Sequence, residues 1–194
     1  MARIADPEKM DNIKKAVMEC VIEYGYAGVS TALICEKAGV SPGYLYRYYK
    51  SKEELVQELV DSEMQTITKD FIFDIESSST LYEAGYKTIK KLFMKANSEP
   101  MAAKFAAAVV MDIKIPATGK TNNFKNVLEL AEKCIELGKR TGEANQDITP
   151  IEVLIISFTI PFRYLSFAVE LDENKIFTEA EVKRVAQICI NAVK

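Results

Sequence analysis

Four short signatures punctuate this chain and leave it little choice but helix. Ser51-Lys52-Glu53-Glu54, Thr80-Leu81-Tyr82-Glu83, Thr149-Pro150-Ile151-Glu152 and Thr178-Glu179-Ala180-Glu181 each set a hydroxyl residue three positions ahead of a glutamate. That spacing is a capping box: the hydroxyl accepts from the third backbone N–H and the glutamate reaches back. Each box launches an apolar stripe of helical period. After Ser51 come Leu55, Leu59, Val60, Met64, Ile67 and Phe71, running toward residue 75. After Thr80 come Leu81, Ala84, Ile89, Leu92 and Phe93, to about Asn97; after Thr178 come Val182, Val185, Ala186, Cys189, Ile190 and Val193. Between them, Pro100 opens a nearly apolar segment closed by Pro116, and Asn122 or Asn123 starts a helix to about Thr141. No alternating strand pattern, repeat or low-complexity run appears, so the fold class is all-α.

The front of the chain is more finely cut. Asp6-Pro7 is a cap followed by a first-turn proline, and Met10, Ile13, Val17, Cys20, Val21 and Tyr24 form a stripe ending near Gly25. A short helix with Ile34, Cys35 and Ala38 inward follows Ser30 and stops at Gly39. Gly39-Val40-Ser41 then leads in three residues to another capped helix start, Ser41-Pro42. Two short helices joined by so brief a glycine turn fit a helix-turn-helix. An ordinary helical hairpin explains the turn but not the surface beyond it. Leu45 and Tyr49, four apart, share an inward face; Gly43 and Arg47 oppose them, flanked by Tyr44, Tyr46 and Lys50. Lys52 stands in the first turn of its helix, where a cation opposes the dipole. It is either a surface lysine or one that meets a phosphate.

Charge divides the chain the same way. Residues 1–52 hold eight Lys/Arg against six Asp/Glu, and the rest 17 against 22, a +2 head on a −5 body. Histidine is absent, which removes the commonest general base and metal ligand and argues against an enzyme; no cofactor or metal is expected. Cys20, Cys35, Cys134 and Cys189 are widely spaced and read as buried thiols of a cytoplasmic protein. The opening residues, MARIADPEKM, lack the apolar core of a signal peptide. Residues 150–171 are apolar on almost every side, yet Glu152, Arg163, Glu170 and Pro161 interrupt them, against a membrane span. Such a helix needs cover on two sides. A second copy docking through helices 150–171 and 178–194 supplies it economically, and a fully intrachain core is the alternative.

With these residues in view, the head resembles the DNA-binding domain of TetR/AcrR-family transcription regulators. The resemblance lies in Ser30-Thr31, Ile34-Cys35, Ala38-Gly39-Val40-Ser41, Gly43, Leu45-Tyr46, Tyr48-Tyr49 and Ser51-Lys52-Glu53-x-Leu55, within residues 8–56. Cys35 and Tyr49 replace the family's usual Ala and Phe, Leu33 a frequent polar or basic residue, and Pro42 a frequent Lys or Arg. The resemblance implies a three-helix DNA-binding domain over residues 1–52, a bridging helix 52–75, and a larger helical ligand-binding and dimerisation domain over 53–194. It implies that Ser30 and Thr31 meet phosphate, that Gly43, Tyr44 and Arg47 lie toward base edges, and that Tyr46, Tyr48 and Lys52 clamp the backbone. Ser41 and Lys50 join that set. Effector-contacting candidates are Met94, Phe105, Met111, Phe158, Phe162 and Phe167, with Asp112 and Arg163 either pairing with each other or selecting a charged ligand. The expected function is a homodimeric, ligand-responsive repressor of a palindromic operator, released by a small hydrophobic or aromatic molecule. The rival is a helical interaction module without specific DNA binding.

Overall fold

The structure, a computed structural model, describes residues 6–111 and 123–194. Every regular element among those residues is a helix: α1 (Pro7–Gly28), α2 (Thr31–Ala38), α3 (Pro42–Leu45), α4 (Lys52–Glu76), α5 (Leu81–Ser98), α6 (Pro100–Met111), α7 (Asn123–Thr141), α8 (Pro150–Leu154), a π-turn (Ile155–Thr159), α9 (Ile160–Leu171) and α10 (Glu179–Val193). Asp112, Pro116 and Asn122 lie outside the described residues.

The caps work nearly as the sequence reads. Ser30, Ser41, Ser51, Thr80, Thr149 and Thr178 each accept from the backbone N–H three residues on. Glu152 and Glu181 close their boxes onto the cap residue itself. Glu54 and Glu83 reach one residue further back, to the N–H of Lys50 at 2.6 Å and of Ser79 at 2.8 Å. Three other expectations need correction. The helix after Ser41 lasts only four residues before continuing as hydrogen-bonded turns through Tyr49. Tyr24 faces out, and Ala16 takes the inward place in α1. The first helix runs past Gly25, which breaks it at φ 64°, a conformation other residues adopt only under strain, and adds a last turn carrying Tyr26.

Side chains collect into two cores. The head core joins Ile13, Val17, Cys20, Ile34, Leu45, Tyr49, Leu55, Val56 and Val60, and α6 pushes Phe105 and Val109 into it. The body core runs from Phe71 and Ile75 through α5 and α7 to Phe158, Phe162, Leu165 and the inner face of α10. Ala103, Ala106 and Ala107 of α6 pack there. Thus α4 and α6 each serve both cores.

The rod Pro150–Leu171 is long and apolar enough to cross a membrane by length and composition alone. In the fold its Val153, Phe158, Phe162 and Leu165 are buried in the body core, and Pro161 is buried as well. Pro161 lacks the N–H that a preceding carbonyl needs, and the widened turn just before it absorbs that loss. The Cys189 thiol of α10 donates to the Ile156 carbonyl within that turn at 3.7 Å.

Candidate nucleic-acid interface and effector cavity

The surface around α3 is rooted from beneath. Leu45 is fully buried and Tyr49 nearly so. With these two anchored, Ser41, Gly43, Tyr46, Arg47 and Lys50 are exposed, while Tyr44, Tyr48 and Lys52 are half-buried. A Cβ added at Gly43 would meet nothing within 4 Å, so the backbone there is open to close approach. Arg47 forms no ion pair among the described residues, leaving its planar donor fork toward solvent.

The hydroxyls are only partly committed. Ser30 Oγ accepts from the Leu33 N–H and Ser41 Oγ from the Tyr44 N–H, each at 3.2 Å. A hydroxyl that accepts at a cap keeps its own O–H to donate. Thr31, half-buried, opens α2. Lys37 of α2 is spoken for: its ammonium lies 3.0 Å from Glu23 and 3.6 Å from Glu19 of α1.

Lys52 is not a free surface lysine. Its ammonium sits 5.0 Å from the centre of the Tyr26 ring and 3.9 Å from a Glu53 oxygen. The break at Gly25 is what sets Tyr26 in that last turn. Burial, aided by the Glu53 charge, raises the Tyr26 phenol above its ordinary range, so the ring stays neutral beneath the cation. A lysine seated on an aromatic face gains a preferred position while keeping its charge.

The second feature is a narrow cavity of about 90 Å³ in the body, walled by α4, α5, α6, the π-turn and α9. Its apolar walls include Ile67, Phe71, Ile89, Leu92, Phe158 and Phe162. Glu63, Asp70, Lys91 and Lys95 line it too, with Thr66, Thr88 and Ser157. Lys95 pairs with Glu63 at 3.1 Å, and Lys91 reaches out of the lining to Asp74 at 2.6 Å. Asp74 is buried and also accepts from Thr88 Oγ1 at 3.0 Å. The ring of Phe71 meets that of Phe158 edge-on, with centres 6.0 Å apart.

Of the residues the sequence nominates for this cavity, only Phe158 and Phe162 line it. Phe105 belongs to the head core. Met94 and Met111 pack against the body core outside the lining. Arg163 is not a buried charge: it is exposed, its guanidinium stacked 3.9 Å from the centre of the exposed Phe167 ring. Asp112 is outside the described residues. The α4 and α5 linings went unnoticed in the sequence although a signal was present. Glu63, Thr66, Ile67, Asp70 and Phe71 fall on one face of α4, mixing charge into a stripe that core packing alone would keep apolar.

A third surface runs along the rod. Ile151, Ile155, Thr159, Arg163, Phe167 and Leu171 recur every fourth residue and all are exposed. Ile188 of α10 is exposed as well.

Residues 13–59 match the family described as bacterial regulatory proteins, tetR family. The fatty acid metabolism regulator protein of Bacillus subtilis is 25% identical over 143 residues, 73% of each chain. The A-factor receptor protein of Streptomyces griseus is 26% identical over 140 residues, covering 71% of this chain but 48% of that protein. Among solved structures, the transcriptional regulator FadR of B. subtilis in complex with stearoyl-CoA superposes with a TM-score of 0.72. It covers 95% of this chain and 100% of its own, at 20% identity.

Proposed function

The chain is a TetR-family transcription regulator, and from that premise we propose that it acts as a homodimeric repressor released from a palindromic operator by a small hydrophobic molecule. The observation that carries the DNA half is the exposed Gly43, Tyr46 and Arg47 surface standing on the buried Leu45 and Tyr49. Arg47 suits a bidentate contact with guanine, while Tyr46, Tyr48, Ser30, Thr31, Ser41, Lys50 and Lys52 suit phosphate oxygens. The exposed apolar row on α8 and α9, with Ile188 of α10, supports pairing of two copies there. Thr159 and Arg163 in mid-row suit a protein partner better than lipid, in keeping with a cytoplasmic protein.

The effector half rests on the size of the cavity. Sites for drug-sized ligands span about 300–1,000 Å³, and this one holds about 90 Å³. An effector therefore has to part the walls, and α4, one of those walls, begins at Lys52 beside the DNA-facing surface. Widening the cavity tilts α4 and with it the head, which changes the spacing of the two heads in a dimer. Only a ligand that binds the widened state better shifts the balance. The relatives' names, a fatty acid regulator and a stearoyl-CoA complex, favour a molecule with an acyl chain.

Selection of bound duplexes from a random pool tests the reading. The expected product is a two-fold symmetric site whose halves lie one helical turn apart, roughly 34–36 Å, or a multiple of it. Sedimentation of the free protein should give a dimer. No enriched sequence, or a monomer on an asymmetric site, overturns it.

A further inference from the structure

Tyr44 sits where a residue reading base edges would stand, yet its phenolic oxygen already accepts a bond and one ring face is covered. Its hydroxyl accepts from the backbone N–H of Asp6 at 3.2 Å, across 38 residues. Its ring lies beneath the Lys9 ammonium, 5.2 Å from the centre, and beside Tyr48 with centres 5.3 Å apart. Lys9 itself is about half exposed. We propose that Lys9 is a DNA-backbone contact and that Tyr44 is a positioning residue, the platform that holds Lys9 there, rather than a reader of bases. This rests on the DNA-binding reading above.

Three features argue for a phosphodiester strand at this place. An open groove joins Lys9 to Ser41, Gly43, Tyr44, Arg47 and Tyr48, so the first turn of α1 and the recognition segment face one channel. Two cations line that channel against one carboxylate, Asp6, which accepts from the Glu8 N–H at 3.1 Å and stands 4.0 Å from Lys9. The arrangement also repeats the one at Lys52 on Tyr26. One seated lysine thus stands by the start of the recognition segment and another directly after its end. A cation held over a ring at an exposed site loses little of its charge to a partner, and the contact itself is weak. Such a weak hold leaves the ammonium available to phosphate while limiting where it wanders.

The test is the salt dependence of binding by the full-length protein to a duplex that the wild type enriches. Each phosphate contact contributes a slope of about 0.9 in log K against log salt. Lys9→Ala should lower the slope by about 0.9 per chain, about 1.8 for a dimer. Tyr44→Ala should lower it equally, with nothing further lost in the double variant. Tyr44→Phe, which keeps the ring, should hold the wild-type slope and the wild-type preference at every base position. An unchanged slope in Lys9→Ala overturns the proposal. So does additivity of the two alanine variants, or a base preference altered in Tyr44→Phe. A wild type that enriches no duplex fails earlier, and takes the regulator reading with it.

Discussion

The head and the body of this molecule solve opposite problems with the same material. In the head, the chemistry points outward: a four-residue helix and its following turns are pinned by Leu45 and Tyr49, and everything not pinned is displayed. In the body, the chemistry points inward, into a cavity whose walls come from five separate elements. Outward display is a local property, set by caps and by residues three or four apart. An inward site is made of the residue types that also build a core, and only the packing of distant elements separates the two. Phe105 shows this best, an aromatic on an apolar helix that serves the other core entirely.

The sharpest way to break that contrast is to empty the head core. Leu45→Ala removes a fully buried side chain and should cost about 2–5 kcal/mol. The expected result is loss of DNA binding and early melting of the head, with the proposed dimer intact by sedimentation. Should the whole molecule melt in one transition, Phe105 and Val109 tie the two cores into one cooperative unit, and the contrast is weaker than the two clusters imply.

The counterpart in the body is Gly138→Ala. An added Cβ would stand 2.6 Å from that of Ala144 and 2.8 Å from Leu81 Cδ2. Overpacking of this kind should destabilise by about 1–3 kcal/mol, read by thermal unfolding, while operator affinity holds. Lost DNA affinity at full stability would show that α7 reaches the head.

Much of the architecture was legible because its signals are short-range. Six caps form at the positions that Ser and Thr mark, and α2 stops at Gly39, in a left-handed conformation. The inward pair Leu45 and Tyr49 follows from spacing alone. What escaped depended on contacts over long stretches of chain. Lys52 finds Tyr26 only because α1 breaks at Gly25. Arg163 stacks on Phe167 only four residues away, but that their face of the rod stays exposed is decided by how the other helices pack. The cavity needs α4, α5 and α9 to meet, and no periodicity within one helix reports that meeting.

A smaller effect is expected at Glu181, the knot that binds α10 to the loop before it. Burial alone raises its carboxyl, but the Lys175 ammonium at 2.7 Å and the Thr178 N–H and O–H, each at 2.9 Å, outweigh it and leave the group at about 2. A carboxyl lowered in the fold stabilises above its unfolded value, near 4.3, and that contribution fades as pH falls toward 2. Glu181→Gln should cost about 1–2 kcal/mol at neutral pH and flatten the acid limb of stability between those limits. An acid limb unchanged in the variant would move the body's pH sensitivity elsewhere.

The smallest effect belongs to the head and tests whether packing alone holds it. Tyr49 is buried, and its hydroxyl lies 3.4 Å from Glu58 Oε1, a long contact. Tyr49→Phe, the residue relatives of the head commonly carry, should therefore change stability at pH 7 by no more than about 0.5 kcal/mol. The difference emerges in alkali. Burial first, then the Glu58 charge, pushes this phenol up to about 12. Between pH 10 and 12 the unfolded chain ionises Tyr49 and the folded chain does not, so the wild type loses stability across that window. The phenylalanine variant should be spared roughly 1 kcal/mol of that loss at pH 11, and absorbance titration should show one late-ionising tyrosine fewer. A variant that instead loses several kcal/mol at pH 7 would make the hydroxyl a fastening between the recognition segment and α4. The head would then depend, as the body does, on a contact between separate elements.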